Sequence, residues 1–214
     1  MVSAPYPTHR LIPSQYPPIG LFDTVATAAD LDAVLELTGW TNDRLVAHRL
    51  ARLPQSERVF GRPNSSIILA AFLHAAPDGG RFNGPDLGAW YATAELNTAI
   101  AEVGHHLRRE LVARGLATGR RTFRAYRARL AGNFETLPPS RPELLSATSW
   151  AASQAYGEAR RAAGATGIAY PSLRHQGGSC FCAYRPSLID DVIQAEHLAI
   201  TVTAATSRIE VSRL

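Results

Sequence analysis

Lysine is absent from the 214 residues, so all 22 basic side chains are arginine. This excludes every chemistry that needs a lysine amine: the P-loop and kinase phosphate grips, pyridoxal Schiff bases and lysine nucleophiles. The same bias is what GC-rich coding produces. Cysteine occurs only as Cys180 and Cys182, too few and too close for a disulfide framework and without the second pair that a zinc site needs. A reducing, cytoplasmic compartment is therefore expected. No apolar run approaches the roughly 20 residues of a membrane span. Residues Met1 to Pro7 lack the basic-then-apolar order of a secretion signal. No Gly-x-Gly-x-x-Gly follows a strand-like run and no Gly-x-Ser-x-Gly elbow occurs, which argues against a Rossmann dehydrogenase and an α/β-hydrolase. Internal repeats and low-complexity tracts are also lacking.

What is present reads as one globular domain over residues 1–214, with 46% hydrophobic and 19% charged residues and a length that allows a substantial core. The net charge of +4 suits anionic partners. Short strands and helices are interspersed without a βαβ repeat, which gives an α+β class. Strands are expected at His9–Ile12, Leu87–Ala92, Thr122–Ala128, Gly167–Tyr170, Ser179–Tyr184 and Leu198–Ala204. Helices are expected at Ala28–Thr38, with Thr27 as cap and Gly39 as stop, at Thr41–Leu53, and at Ser149–Ala163 with Gly164 as stop. Ile67–His74 fits a helix or a buried strand equally.

The chemistry concentrates between residues 79 and 102. Gly79 and Gly80 allow a sharp turn with close approach of a ligand, and Arg81 projects a planar fork suited to phosphate or carboxylate. Thr93 is a plausible N-cap, with Glu95 in the first turn of the following helix. Leu96, Ile100, Val103, Leu107 and Leu111 make one apolar stripe along that helix. Glu102 lies off the stripe beside Thr98 and His106, on the polar face. By spacing alone the commoner reading of such a residue is a solvated helix surface.

Gly79-Gly80-Arg81-Phe82-Asn83, Tyr91 ten residues after the arginine, Ala99-Ile100-Ala101-Glu102 ending eleven further on, and Ser172 after the glycine-led run Gly167-Ile168-Ala169-Tyr170-Pro171 together resemble the RES domain. That family takes its name from arginine, glutamate and serine. The resemblance runs from about residue 10 to 188, and Phe82 stands where the family more often has tryptophan. It implies an ADP-ribosyltransferase-like fold, a mixed β core with surrounding helices, that binds NAD as substrate and breaks the nicotinamide–ribose bond as a glycohydrolase or phosphorylase. Arg81 would then grip the pyrophosphate or ribose, Glu102 stabilise the developing cation, Tyr91 position the nicotinamide end and Ser172 orient the ribose. Asn83 and Arg10 join them as candidates for holding the nucleotide, Arg10 because an early strand in such folds offers His or Arg. No metal is required, since nicotinamide is already a cationic leaving group. The resemblance also implies a toxin of a type II toxin–antitoxin pair. Its partner would be an Xre-type helix-turn-helix antitoxin through which any DNA contact is made. The acceptor (water, phosphate or a protein side chain) and the oligomeric state stay open.

Other patterns compete with this reading. Eight arginines between Arg108 and Arg129 face one acid, Glu110, and with Phe123 and Tyr126 they fit either a nucleic-acid or partner-binding surface or a solvated strand face. Glu102-x-x-His105 has di-iron spacing, but a second such motif is missing. Ser172, His175 and Glu102 supply the residue types of a hydrolase triad without its elbow.

Overall fold

Phe123 and Ala125 on one side and Tyr126, Ala128 and Leu130 on the other leave both faces of one long strand apolar, so it must be covered twice. In the computed structural model, which describes residues 1–16, 20–31, 33–34 and 44–214, that strand lies inside a single sheet of nine. The strands are β1 (Val2–Ser3), β2 (Thr8–Pro13), β3 (Trp90–Thr93), β4 (Thr118–Leu130), β5 (Asn133–Thr136), β6 (Gly167–Pro171), β7 (Ser179–Ala183), β8 (Ile189–Thr203) and β9 (Ile209–Arg213). Their order is β1-β5-β6-β7-β3-β2-β4-β8-β9, with β5 and β6 parallel. Helices α1 (Arg44–Ala51), α2 (Ser65–Leu73), α3 (Leu96–Ala113) and α4 (Ala151–Ala162) pack around it. The architecture is α+β, as expected from sequence.

The two faces of the sheet are closed differently. On one, Trp90, Ala92, Tyr126, Ala128, Phe181 and Ala183 join Ile68, Leu69, Phe72 and Leu73 of α2 in one continuous core. On the other, α3 lays its apolar stripe over Leu11, Phe123, Ala125, Leu198 and Ile200. Further along the same face, Tyr156 of α4 packs with Phe82, Ile168, Cys182 and Tyr184 in a separate cluster. Sheet floor from β2, β3 and β7 is left bare between the two helices.

Several expectations shift. Ile67–His74 resolves as helix, since α2 runs Ser65–Leu73 and buries most of its surface. Thr93 is the last residue of β3 rather than a helix cap: its hydroxyl donates to Glu95 O at 2.7 Å, and Glu95 itself is the N-cap, without a side-chain capping bond. Thr27 does cap, exchanging bonds with Asp30. Residues 28–31 are helical, but part of the expected Ala28–Thr38 and Thr41–Leu53 helices, with Gly39, lies outside the described residues. Leu198–Ala204 is only the end of β8. The rest of β8 was hidden because its register against β4 slips twice, from Arg124↔His197 to Tyr126↔Gln194 and from Arg127↔Ile193 to Arg129↔Asp190. Each slip adds a residue to β8 and moves its apolar side chains across the sheet, so Val192 faces the α2 core while Leu198 faces α3.

The 78–88 loop is fixed by α4. Gln154 Nε2 donates to Asp78 O at 2.7 Å and Gly80 O at 3.0 Å. Glu158 accepts from Gly84 N at 2.8 Å, and Arg161 donates to Leu87 O and Gly88 O at 3.0 and 2.8 Å. Gly157 sits between them because a Cβ there would stand 2.0 Å from Phe82 O and 2.6 Å from the Tyr184 hydroxyl. Gly104 of α3 is crowded only by the flexible tip of Ile209, 2.5 Å from a would-be Cβ. Alanine gains about 1 kcal/mol of helix propensity at either position. Gly157→Ala is nevertheless expected to lose about 2–3 kcal/mol, because a backbone oxygen cannot step aside. Gly104→Ala should stay within about 1 kcal/mol of wild type when both variants are unfolded with urea. Equal midpoints for the two variants would remove Gly157 from this role.

Candidate active site

The bare strip of sheet floors a cleft of about 310 Å³ between α3 and the glycine turn with Ala147 and Trp150, just before α4. Its first wall is the glycine turn. Gly79 has φ +72°, and a Cβ there would lie 2.3 Å from Asn83 O, so the position needs glycine on both counts. Gly80 closes the turn by bonding Asn83 O, and a Cβ on it would press 2.6 Å from the Tyr91 hydroxyl. That hydroxyl donates to Asn83 Oδ1 at 2.7 Å and accepts from Phe82 N at 2.9 Å. Burial lifts the Tyr91 pKa well above its ordinary value, so the phenol stays neutral. Its ring borders the cleft.

Asn83 is buried, and its amide nitrogen donates to Gly84 O and Leu87 O. It holds the turn and does not border the cleft. Arg81 leaves the turn toward the cleft, where Nη1 donates to Ser146 O at 2.9 Å and the guanidinium stands 5.9 Å from the Trp150 ring centroid.

The opposite wall is the polar face of α3, buried at Thr98, half-buried at Glu102 and exposed further along at His106 and Arg109. Thr98 is fully buried against the turn at 172–178, bonding His175 Nδ1 at 2.8 Å. One turn along the helix, Glu102 Oε1 accepts from Ser172 Oγ at 2.6 Å. Ser172 Oγ also accepts from Arg174 N and His175 N at 3.1 and 3.0 Å. Its single donor is therefore spent on Glu102 and its two lone pairs on the backbone. The His175 ring is bonded to Thr98 rather than Ser172, so the hydrolase triad is not assembled.

Arg10 enters from below. β2 and β3 pair only at His9↔Thr93. In the split beyond, Arg10 Nη1 donates to Tyr91 O at 2.9 Å, with the guanidinium 4.8 Å over Trp90. Its Nε is buried without a partner, and burial pushes its pKa down to about 10, which still leaves it charged at neutral pH.

Arg10, Arg81, Arg109 and Arg174 border the cleft, and among the described residues Glu102 is the one carboxylate that does. Cys180 lies 4.0 Å from Glu102 Oε1, its thiol pushed up to about 12, first by burial and then by that carboxylate.

Arg81, Tyr91, Glu102 and Arg10, expected from sequence, thus come together around one cleft, with Ser172 behind Glu102 and Asn83 behind Tyr91. Sequence reading passed over Tyr170, Trp150 and Arg109. Tyr170 packs edge-to-face on Phe82 at 4.9 Å. The available signal for Trp150 was a large aromatic at the start of an otherwise polar helix. Most of the 108–129 arginines are engaged elsewhere: Arg114 and Arg121 with Glu110, Arg127 with Glu196, Arg129 with Asp191, Arg108 with Thr203 O and Arg124 with Tyr16 O.

A family model described as RES domain matches residues 49–203, well over half of the chain. No curated protein matches it in sequence. Among solved structures, the crystal structure of the M. tuberculosis MbcT–MbcA toxin–antitoxin complex is similar over 95% of this chain and 87% of that one, at 16% identity and a TM-score of 0.46. No helix among the described residues is long and apolar enough to cross a membrane.

His105, which also borders the cleft, has its pKa lowered to about 4, first by burial and then by Arg174 and neighbouring cations. It is accordingly neutral from about pH 5 upward. The unfolded chain takes this proton near the ordinary 6.5 while the native state refuses it until about 4, so its contribution to stability is lost as pH falls through that window. Ring-proton NMR should give a midpoint near 4, rising toward the ordinary value in Arg174→Ala. A wild-type midpoint at 6.5 would show that the ring is hydrated and unpressed.

Proposed function

We propose that this chain, which belongs to the RES domain family, cleaves the bond between nicotinamide and ribose in NAD. The observation that carries the reading is Glu102, a carboxylate held by Ser172 at 2.6 Å in a cleft otherwise lined with arginines. Such a cleft matches a substrate whose pyrophosphate is anionic and whose reacting carbon becomes cationic. As the C1′–N bond breaks, its electron pair leaves with nicotinamide, which departs neutral. Positive charge then spreads over C1′ and the ring oxygen, as in glycoside cleavage. Glu102 stabilises that charge at the moment it develops. Ser172 acts through Glu102, fixing the carboxylate's direction. Arg81 and Arg10 offset the pyrophosphate charge, and the Tyr91 and Tyr170 rings flank the planar leaving group. An oxygen acceptor, water or phosphate, attacks C1′ and releases its proton, giving ADP-ribose or its 1-phosphate.

Family membership supports a toxin whose partner is an Xre-type helix-turn-helix antitoxin covering this cleft and making the DNA contact. Two free, buried cysteines fit a cytoplasmic setting. Transfer to a protein side chain is the second outcome of the same chemistry. A mass measurement of products formed with and without phosphate, and with a protein acceptor, separates the three.

Glu102→Gln keeps shape but removes charge, and should cost about two to three decades in kcat, about 3–4 kcal/mol, with a much smaller change in KM. A rate within threefold of wild type in a folded Glu102→Gln protein would remove the carboxylate from the mechanism. Arg81→Ala should lose most NAD turnover, and Arg81→Lys should restore it only in part, because an ammonium cannot both hold Ser146 O and present a second planar edge. Full rescue by lysine would reduce Arg81 to a point charge.

A further inference from the structure

Trp150 borders the cleft without a part in the motif or in the mechanism above. It occupies the N-cap of α4 with no side-chain capping bond, and its half-buried indole borders the cleft. The ring meets His106 edge-to-face at 6.2 Å, and the Arg81 guanidinium stands 5.9 Å from its centroid. Tyr91 and Tyr170 belong to the sheet floor, whereas Trp150 stands on the rim beside exposed His106 and Arg109.

The distance from the reacting carboxylate can be read along α3. His106 is four residues beyond Glu102, about 6 Å at 1.5 Å per residue, and Arg109 is about 10 Å beyond. Trp150 touches His106, so it lies one helical turn outward from Glu102. Arg81 reaches both the cleft and this indole. A ligand with its reactive ribose at Glu102 and its pyrophosphate at Arg81 therefore brings its next group to Trp150. In a dinucleotide that group carries a second aromatic base.

We infer that Trp150 is a stacking platform for the adenine base, and that it makes the cleft select dinucleotides over nicotinamide mononucleotide. This rests on the nicotinamide-cleaving reading above and assigns the outer half of the same cleft. An indole held by Arg81 and braced by His106 presents a rigid apolar surface in polar surroundings, which is what a purine needs to stack on. Base–aromatic stacking corresponds to a factor of about 5 to 150 in affinity.

The test uses the full chain as wild type, Trp150→Ala and Trp150→Phe, each checked for folding by thermal melting. The ratio of kcat/KM for NAD to that for nicotinamide mononucleotide should fall about tenfold or more in Trp150→Ala, mainly through KM for NAD, and be largely kept in Trp150→Phe. A structural role, such as bracing the α3 wall that carries Glu102, would lower both substrates together and leave the ratio where it was, which would overturn the inference. Binding is read separately by titrating AMP against indole fluorescence. AMP should quench the wild type, ribose 5-phosphate should not, and the quenching should be much smaller in Trp150→Phe, which keeps Trp40 and Trp90. Equal quenching in wild type and Trp150→Phe would overturn the assignment. If wild type turns over no NAD, the nicotinamide-cleaving reading falls, while the AMP titration still decides Trp150.

Discussion

Much of the site depends on one constraint, the absence of a side chain at Gly157. Because α4 can come within contact of Phe82 O there, Gln154, Glu158 and Arg161 reach the backbone of the 78–88 loop on either side. An irregular loop becomes as fixed as the helix that holds it. Arg81 and Tyr91 inherit that fixity, since the Tyr91 hydroxyl is bonded to the same loop. The loop's own glycines complete the arrangement by letting the Tyr91 phenol lie against Gly80. The grip on a pyrophosphate proposed for Arg81 would gain from this preorganisation, because the ordering has been completed in folding rather than at binding.

The opposite wall is built on the same logic with other groups. Thr98 and His175 dock the 172–178 turn onto α3, and Ser172 then joins the turn's backbone to Glu102. A carboxylate on a helix would otherwise swing among rotamers. Here it is tied to a turn that is itself tied to the helix one turn back. The cleft exists because α3 and α4 cover one face of the sheet with separate cores while the other face has a single one. Between two cores on one face, part of the floor from β2, β3 and β7 is covered by neither helix, and that is where the cleft opens.

The exclusive use of arginine also has a physical consequence. Arg10 is enclosed between Trp90 and the Tyr91 carbonyl, and burial takes its pKa down to about 10. A lysine starts about two units lower, so an equal shift would bring it close to neutral pH and threaten its charge. Its single ammonium would also lose the flat contact over the indole. Arginine is thus the side chain that can stay cationic in that split.

The sequence by itself determined the elements whose pattern is local. The stripe from Leu96 to Leu111 predicts α3 because apolar side chains three and four apart must share a face. Gly164, with φ +81°, marks the end of α4, and the alternation in 122–128 marks β4. The arginine, tyrosine, glutamate and serine were legible only through their resemblance to the RES domain, since each is weak as a pattern alone. Periodicity put Glu102 on a solvated face and the family resemblance put it in the site, but the contact that holds it was decided by tertiary structure, because what meets Thr98 and Glu102 is a turn some seventy residues away in the chain. The first half of β8 escaped for a related reason: two register slips against β4 destroy the alternation on which strand reading depends. Trp150 and Tyr170 carry no pattern of their own, and their place in the cleft follows from α4 meeting the 78–88 loop. Local periodicity fixes which way a side chain leaves its own element. What it then meets is set by packing between elements far apart in sequence, and for Glu102 that packing turns a polar helix face into the wall of a cleft.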